Sequence, residues 1–432
     1  MSGRVVIAGA SLGGLRAAEQ LRAVGWTGEI VAVGDEPHMP YNRPPLSKEA
    51  LAGKATLASL SFRPRASAAD VRWRLGTAVT AARLADRVVR LDDGTELPFD
   101  GLVVATGMRP RRLRCAGPTG PGSGRHTVRT LADAEALRPE LTRPGARVVV
   151  IGAGFIGCEV AATAIGLGAA EVTVVDPEPL PMLRPLGELL ARALLRRHEE
   201  RGVRFALGTG VSAFAGYEGK SPGGGRGRVT GVVLGDGRVL AADVVVESVG
   251  SVANTEWLDG NGLDVTDGVL TDELLRVVTS ERQGTRAPER ERPERSLPYV
   301  VAVGDVARFP NARYDGVPRR VEHWSIPGDS AKHAARSLLA GITGEGDDPA
   351  PFAPLPAFWS DQHDFRLQAF GAASLGTGDV RVLDGDPDGD VVVGYHAGGR
   401  LIGVVALGSQ AAVTRAAARY RAELLRQPAL TA

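Results

Sequence analysis

The sequence predicts an α/β protein in which one strand–turn–helix unit is inserted into another, followed by a smaller α+β unit. Three observations carry this. An apolar run enters a glycine-rich turn and leaves as a helix at residues 5–14; the same pattern returns at 147–159; and beyond Pro349 the composition changes to short strands and one closing helix.

The first run, Val5-Val6-Ile7-Ala8-Gly9-Ala10-Ser11-Leu12-Gly13-Gly14, reads strand, turn, helix, with the helix over about 15–24. Such a turn gathers unpaired backbone N–H groups and the positive end of a helix dipole at one point, where a pyrophosphate sits. Gly9 permits the sharp turn and Gly14 the close approach of helix to strand. Ser11 stands where the G-x-G-x-x-G pattern has its middle glycine. A second strand, 30–33, ends in Gly34-Asp35-Glu36, and either acid has the spacing of a residue that binds a ribose hydroxyl. The stretch His38-Met39-Pro40-Tyr41-Asn42-Arg43-Pro44-Pro45-Leu46-Ser47-Lys48 is stiffened by its prolines and holds Arg43 and Lys48 at defined positions.

Residues 71–91 read as short strands with a turn at 92–95. A buried strand follows, ending in Ala105-Thr106-Gly107, and then a Pro/Gly/Arg-rich crossing over 108–125. The repeat, Arg147-Val148-Val149-Val150-Ile151-Gly152-Ala153-Gly154-Phe155-Ile156-Gly157-Cys158-Glu159, carries all three glycines, and Asp176 tips its second strand. Two such motifs in series predict two dinucleotide sites. Asp176 accepts from a ribose 2′-hydroxyl and repels a 2′-phosphate, which favours NADH over NADPH; Arg184 nearby keeps the phosphate alternative open.

The buried strand 242–250, closed by Gly250 at the second site, leads the chain back to the first unit. Residues 216–227 and the charged run 282–295 read as solvated insertions. Strand 299–303 ends in Gly304-Asp305, a carboxylate suited to a cofactor hydroxyl. Glu322-His323-Trp324 precedes a helix over 329–340. Strands at 365–370, 380–383, 391–395 and 401–406 and a helix at 410–425 complete the chain. The expected domains are therefore 1–110 with 243–330, then 111–242 inserted between them, then 331–432.

With 432 residues, 44% hydrophobic and 23% charged, and a net charge of +1, the composition is that of a globular protein with no overall attraction to nucleic acid. The two cysteines, Cys115 and Cys158, form no C-x-x-C or C-x-x-x-x-C pair, so a zinc site or a dithiol redox centre finds no support. No apolar stretch reaches about 18 residues, and the N-terminus enters a strand without a leader pattern. A cytoplasmic protein without membrane association is expected.

These residues resemble the FAD-dependent, NAD(P)H-linked reductases of the glutathione-reductase fold, with two Rossmann-like domains and a C-terminal interface domain. Within them they resemble the ferredoxin reductase branch (rubredoxin- and putidaredoxin-type) that serves bacterial oxygenases and cytochromes P450. The likeness covers nearly the whole chain. It is carried by Pro40 to Lys48, Ala105-Thr106-Gly107, Gly152 to Glu159, Val303-Gly304-Asp305, Glu322-His323-Trp324 and Phe358-Trp359-Ser360-Asp361-Gln362.

The resemblance implies an FAD pyrophosphate on Gly9, Ser11, Leu12, Gly13 and Gly14 with Arg43 assisting. It puts the adenosine ribose on Asp35 or Glu36 and the adenine against Val79. Ala105, Thr106 and Gly107 pass close to the cofactor, Gly304 and Asp305 meet the ribityl chain, and Trp324 lies near the flavin. Lys48 pairs with Glu159 beside flavin N5. NADH occupies Gly152, Gly154, Phe155, Ile156, Gly157, Asp176 and Gly250. Without a cysteine pair, electrons leave the flavin directly for a [2Fe–2S] or similar ferredoxin, in a transient electrostatic complex for which Arg308, Arg313, Arg319 and Arg320 are the expected patch. The chain is expected to be a monomer or weak dimer. It departs from the pattern at Ser11, at Ala253 and in the 282–295 run. Two other readings share these sites: reduction of a small acceptor such as a quinone, a radical or oxygen, and redox signalling with slow turnover.

Overall fold

The computed structural model describes residues 3–220, 226–280, 294–344 and 348–427. Val5, Val6, Ile7 and Ala8 are fully buried in strand Arg4–Ala8, which lies parallel between Glu29–Gly34 and Gly101–Val104. An unbroken apolar run is what a strand covered on both faces requires. Arg72–Leu75 extends the sheet on one side, Glu294–Ala302 on the other, and antiparallel Arg276–Ser280 closes it at six strands.

Two corrections to the expected elements arise here. Residues 72–75, expected with the short strands that follow, pair in parallel with Val31 to Gly34. Only Val79–Arg83, Val88–Leu91 and Glu96–Pro98 form the antiparallel sheet, which packs Val79, Leu91 and Leu97 on Val31 and Val33. The helix expected at 329–340 runs Ile326–Thr343, with a proline in its first turn, and buries Ala331, Ala334, Ala335 and Leu338 in the first core. The expected boundary at 330/331 thus falls inside a helix of the first unit.

The inserted unit repeats the plan. Five parallel strands run in the order Arg204–Leu207, Glu171–Asp176, Arg147–Ile151, Val244–Glu247 and Arg125–His126. Helices Leu131–Leu141 and Phe155–Gly166 cover one face, and the antiparallel sheet Val211–Lys220, Arg226–Leu234, Val239–Ala241 covers the other through Phe214, Val229 and Val232. Part of 216–227, expected as a solvated insertion, is therefore paired strand, while 221–225 lies outside the described residues. A Cβ at Gly216 would overlap the Arg228 carbonyl oxygen and Pro118, so glycine there serves close packing. Of the run 282–295, only Glu294 and Arg295 are described, within strand Glu294–Ala302.

The chain crosses between the two units as an antiparallel pair, Met108–Pro110 with Ser251–Ala253. The C-terminal unit is a five-stranded antiparallel sheet, in the order Ala357–Gln362, Phe365–Gly371, Arg400–Gly408, Val391–Ala397, Val380–Gly385. Its own helix, Gln410–Arg426, packs on one face, and helix Leu183–Glu199 of the inserted unit packs on the other through Leu186, Leu190 and Leu194. Tyr395 fastens this contact, its hydroxyl donating to the Leu186 carbonyl at 2.7 Å. All three units therefore meet around the carboxyl ends of the first sheet.

Candidate functional site

At that junction lies a cavity of about 560 Å³. Its floor is the first glycine turn. A Cβ at Gly9 would overlap the Ala105 carbonyl, and one at Gly14 would overlap the Gly9 carbonyl, so both positions need glycine; at Gly13 a Cβ would meet only ordinary contacts. Ser11 is the N-cap of helix Leu12–Ala23 in extended geometry and makes no side-chain cap bond, so the first-turn N–H groups face the cavity uncapped. The turn tolerates serine because φ is −117° there.

One wall is the proline loop. Arg43 reaches Glu36 at 2.5 Å and the Arg129 carbonyl at 2.8 Å. Tyr41 donates to Glu36 at 2.5 Å and accepts from Leu131 N–H at 3.0 Å. Burial pushes the Tyr41 phenol up to about 12, so it stays a donor. Opposite, Asp305 follows the end of strand Glu294–Ala302. Burial pushes its carboxyl up to about 6 against the opposing pull of Arg129, whose guanidinium stands 3.8 Å away.

Deeper in, Lys48 Nζ lies 2.8 Å from Glu159 Oε2. The same carboxylate accepts from the Ser47 hydroxyl at 2.5 Å and, through Oε1, from the Ser360 hydroxyl at 2.6 Å. Lys48 and Ser47 come from the first unit, Glu159 from the inserted unit and Ser360 from the C-terminal sheet. Aromatic rings line the cavity out to its mouth. Trp324 meets Trp359 edge-on at 5.1 Å, and Phe155 meets Phe358 at 4.8 Å.

The second glycine turn stands outside this cavity. A Cβ at Gly152 would overlap the Ser248 carbonyl, and one at Gly157 the Gly152 carbonyl, whereas Gly154 faces open space and caps helix Phe155–Gly166 with no side chain in the way. Asp176 accepts from Ala153 N–H at 2.6 Å and Glu178 N–H at 2.8 Å, which ties the turn to the strand tip. Its remaining lone pairs are open to a ribose. Glu178 pairs with Arg184. Gly250 has φ 92° and lies where the chain leaves strand Val244–Glu247.

Of the residues expected at the site, Ser11, Leu12, Gly13, Arg43, Lys48, Ala105, Gly107, Phe155, Ile156, Glu159, Gly304, Asp305 and Trp324 line the one cavity. Asp35, Glu36 and Val79 do not; Asp35 is exposed, while Glu36 is half-buried and engaged by Arg43 and Tyr41. Thr106 faces the crossing, its hydroxyl donating to the Asn254 carbonyl at 2.7 Å. Sequence reasoning missed Arg129, Ser47 and Ser360. Ser360 belongs to the quoted Phe-Trp-Ser-Asp-Gln stretch, where its place between a lysine-paired acid and Gln362 left no local signal.

The arginine patch also differs from expectation. Arg308 pairs with Asp264, Arg319 with Asp315 at 2.5 Å, and Arg320 with Asp267 at 2.6 Å and Glu322 at 2.7 Å. Arg313 donates to the Leu424 carbonyl at 3.4 Å. Acids bound to three of the four arginines leave the patch little net charge.

The cavity fits a flavin dinucleotide on its own features. Its floor is a glycine turn at a helix N-terminus without a side-chain cap, and its walls hold buried polar atoms without a partner among the described residues: Asn42 Oδ1, Tyr314 OH and His323 Nδ1. Among the described residues no group of acids, histidines and cysteines could hold a metal ion, and no helix is long and apolar enough to cross a membrane. Cys158 is fully buried, its thiol pushed far up by burial, and Cys115 is half-buried elsewhere.

Residues 3–326 match the pyridine nucleotide-disulphide oxidoreductase family and residues 357–425 the reductase C-terminal family. The ferredoxin–NAD(+) reductase component of the anthranilate 1,2-dioxygenase system of Burkholderia cepacia is 38% identical over 412 residues, 93% of this chain and 90% of that protein. Putidaredoxin reductase of Pseudomonas putida is 37% identical over 405 residues, 93% of this chain and 87% of that protein. The reductase in the crystal structure of the covalent putidaredoxin reductase–putidaredoxin complex superposes with a TM-score of 0.81 at 34% identity, covering 96% of this chain and 92% of that one. Its two glycine turns, its shared cavity and its C-terminal sheet thus have one common explanation: the chain belongs to the pyridine nucleotide-disulphide oxidoreductase family.

Proposed function

We propose that this protein is an FAD-dependent NADH:ferredoxin oxidoreductase of the cytoplasm, delivering electrons to a small [2Fe–2S] or similar ferredoxin that serves an oxygenase or a cytochrome P450. The observation that carries this reading is the Lys48–Glu159 pair, which puts side chains of both glycine-turn units in one cavity that has no cysteine pair beside it. Bound FAD supplies the chemistry, accepting a hydride from the nicotinamide and giving up its two electrons one at a time.

The chain's own residues bind, orient and shield. Gly9 to Gly14 and the open helix N-terminus hold a pyrophosphate, with Arg43 adding positive charge. Asp305 accepts a hydrogen bond from a cofactor hydroxyl. Lys48 holds a fixed positive charge where negative charge develops, and Glu159 with Ser47 fixes its position. Phe155, Phe358 and the tryptophans exclude water. Gly152, Gly154, Gly157 and Asp176 hold NADH, and the pairing of Arg184 with Glu178 keeps that guanidinium from a 2′-phosphate.

Ferredoxin docks at the cavity mouth, where Trp324 is 45% and Val317 49% exposed, in a short-lived complex with a monomer or weak dimer. Because Arg308, Arg319 and Arg320 are already paired, that docking leans on apolar contact more than on their charge. The test is a spectrum of the purified protein, which shows bound FAD, followed through titration with NADH and NADPH and reoxidation by a [2Fe–2S] ferredoxin or by menadione. A colourless protein overturns the proposal, and turnover with menadione alone replaces the ferredoxin by a small acceptor.

A further inference from the structure

Glu159 is also the end of a hydrogen-bonded series that leaves the cavity and runs behind its wall into the C-terminal sheet. Ser360 Oγ is 2.6 Å from Glu159 Oε1, and Gln362 Nε2 is 2.9 Å from Ser360 Oγ. His198 Nε2 is 2.7 Å from Gln362 Oε1, and His363 Nε2 is 3.2 Å from His198 Nδ1. Glu159, Ser360, Gln362 and His198 are all buried.

The series has a single direction, and the carboxylate dictates it. As the carboxylate partner of Lys48, Glu159 only accepts, so Ser360 must donate to it. Ser360 has then used its proton and accepts from the Gln362 amide nitrogen, which turns the amide oxygen toward His198. His198 must donate from Nε2. Burial pushes both His198 and His363 down to about 4, so each ring is neutral and carries one proton. His198 with its proton on Nε2 offers Nδ1 as an acceptor, and His363 donates to it from Nε2.

Asp364 is the carboxylate that acts on His363, and it is engaged by Arg201. His198 packs between the rings of Phe205 and Phe365, at 6.0 and 5.7 Å. Arg201, a cation that acts on both histidines, is held 2.5 Å from Asp364, and Arg197 lies over Phe365. His363 occupies the hairpin turn between Ala357–Gln362 and Phe365–Gly371 with φ 50°, a left-handed conformation that a non-glycine residue adopts at a cost. Its ring meets that of His198 edge-on, with centroids 5.0 Å apart.

We propose that Gln362 and His198 are positioning residues for Glu159. The oriented series holds the Glu159 carboxylate toward Lys48, and that acceptor-only partner of Lys48 in turn sets the tautomers of His198 and His363. The C-terminal sheet thereby fixes the Lys48–Glu159 pair that the first two units supply. The kinetic part of this inference rests on the flavoprotein reading above; the tautomer part does not.

The test is NMR of the FAD-bound protein labelled with 15N-histidine, with His198 and His363 assigned from His198→Gln and His363→Gln. In the wild type, both rings carry their proton on Nε2. Glu159→Gln supplies a group that donates as well as accepts, so the direction is lost and His198 becomes a mixture of tautomers, an effect a purely local role would not transmit across Ser360 and Gln362. Gln362→Met retains FAD and NADH affinity but slows flavin reduction by NADH about tenfold. Gln362→Glu, unable to donate to Ser360, gives the pH profile of that step an ionisation the wild type lacks. A wild-type His198 protonated on Nδ1, or a tautomer unmoved in folded Glu159→Gln, overturns the inference even where Gln362→Met fails to fold. If ferredoxin reduction fails while the tautomers are as stated, the functional reading falls and the oriented series stands.

Discussion

Replacing Asp305 by asparagine should stabilise the FAD-free chain near neutral pH while weakening its hold on FAD. The carboxyl sits in the cavity wall with Arg129 at 3.8 Å as its ion-pair partner among the described residues, and burial outweighs that cation to push the group up to about 6. The unfolded chain binds the same proton near the ordinary carboxylate value of about 4, so between about pH 4 and pH 6 the folded state holds the extra proton. Stability therefore falls as pH rises through that window and stays lowered above it. A rise of about two units corresponds to roughly 3 kcal/mol. The side chain keeps 21% exposure, and solvent screening reduces the effect to about 1–2 kcal/mol. Asparagine has the same shape and no charge to desolvate, so the variant gains this amount at pH 8 and nothing at pH 4. Urea unfolding of the FAD-free protein at both values measures it, and fluorescence titration should show FAD binding at least about tenfold weaker, the worth of one hydrogen bond to a charged acceptor. An asparagine variant no more stable than wild type at pH 8, or equally stabilised at pH 4, refutes the reasoning.

Lys48→Met should retain FAD but slow its reduction by NADH about tenfold or more, read by stopped-flow absorbance, because it removes the one cation 2.8 Å from Glu159. Arg125→Met should destabilise the inserted unit by about 2–3 kcal/mol in urea, since the fully buried Glu247 loses Arg125 Nε at 3.0 Å and keeps Leu113 N–H at 2.7 Å and Arg112 at 3.8 Å. The double variant Arg125→Met, Glu247→Gln should recover most of that loss. Glu178→Gln frees Arg184 for a 2′-phosphate and should narrow the NADH-over-NADPH ratio of kcat/KM roughly fivefold; an unchanged ratio removes the pair from cofactor choice.

Features set by local backbone need were legible in the sequence. Gly9, Gly14, Gly152 and Gly157 each stand where a Cβ would strike a carbonyl oxygen, and the strands before them are buried on both faces. The pairing of Lys48 with Glu159 was legible only through a family likeness, since nothing within either segment points to the other. What stayed hidden depends on register and on long-range packing. Residues 72–75 show the same short apolar alternation as the strands after them, yet they pair with Glu29–Gly34 because that sheet edge is open to them. Asp35 and Glu36 are adjacent acids that leave the strand in different directions, and only the course of the proline loop decides that Arg43 and Tyr41 reach Glu36. The arginines at 308 and 320 read as part of a free basic patch because their partners at 264 and 267 lie far away in sequence and meet them only on folding, whereas Asp315, four residues before Arg319, was a local partner passed over.

Helix Phe155–Gly166 shows how one repeat serves two sites. Its backbone N-terminus faces the second glycine turn, while Phe155, Ile156 and Glu159 line the first cavity, Phe155 and Glu159 sharing a face at i and i+4. Donor and acceptor sites are thereby tied to one rigid element, and Gly157 seats it, because a Cβ there would overlap the Gly152 carbonyl. Gly157→Ala must push the helix away from strand Arg147–Ile151, an overpacking cost of about 1–3 kcal/mol. The same displacement opens the second turn and draws Glu159 from Lys48, so NADH affinity and the rate of flavin reduction at saturating NADH should fall together. If affinity falls while the saturated rate is unchanged, the helix does not couple the two sites, and Glu159 is held by Ser47 and Ser360 alone.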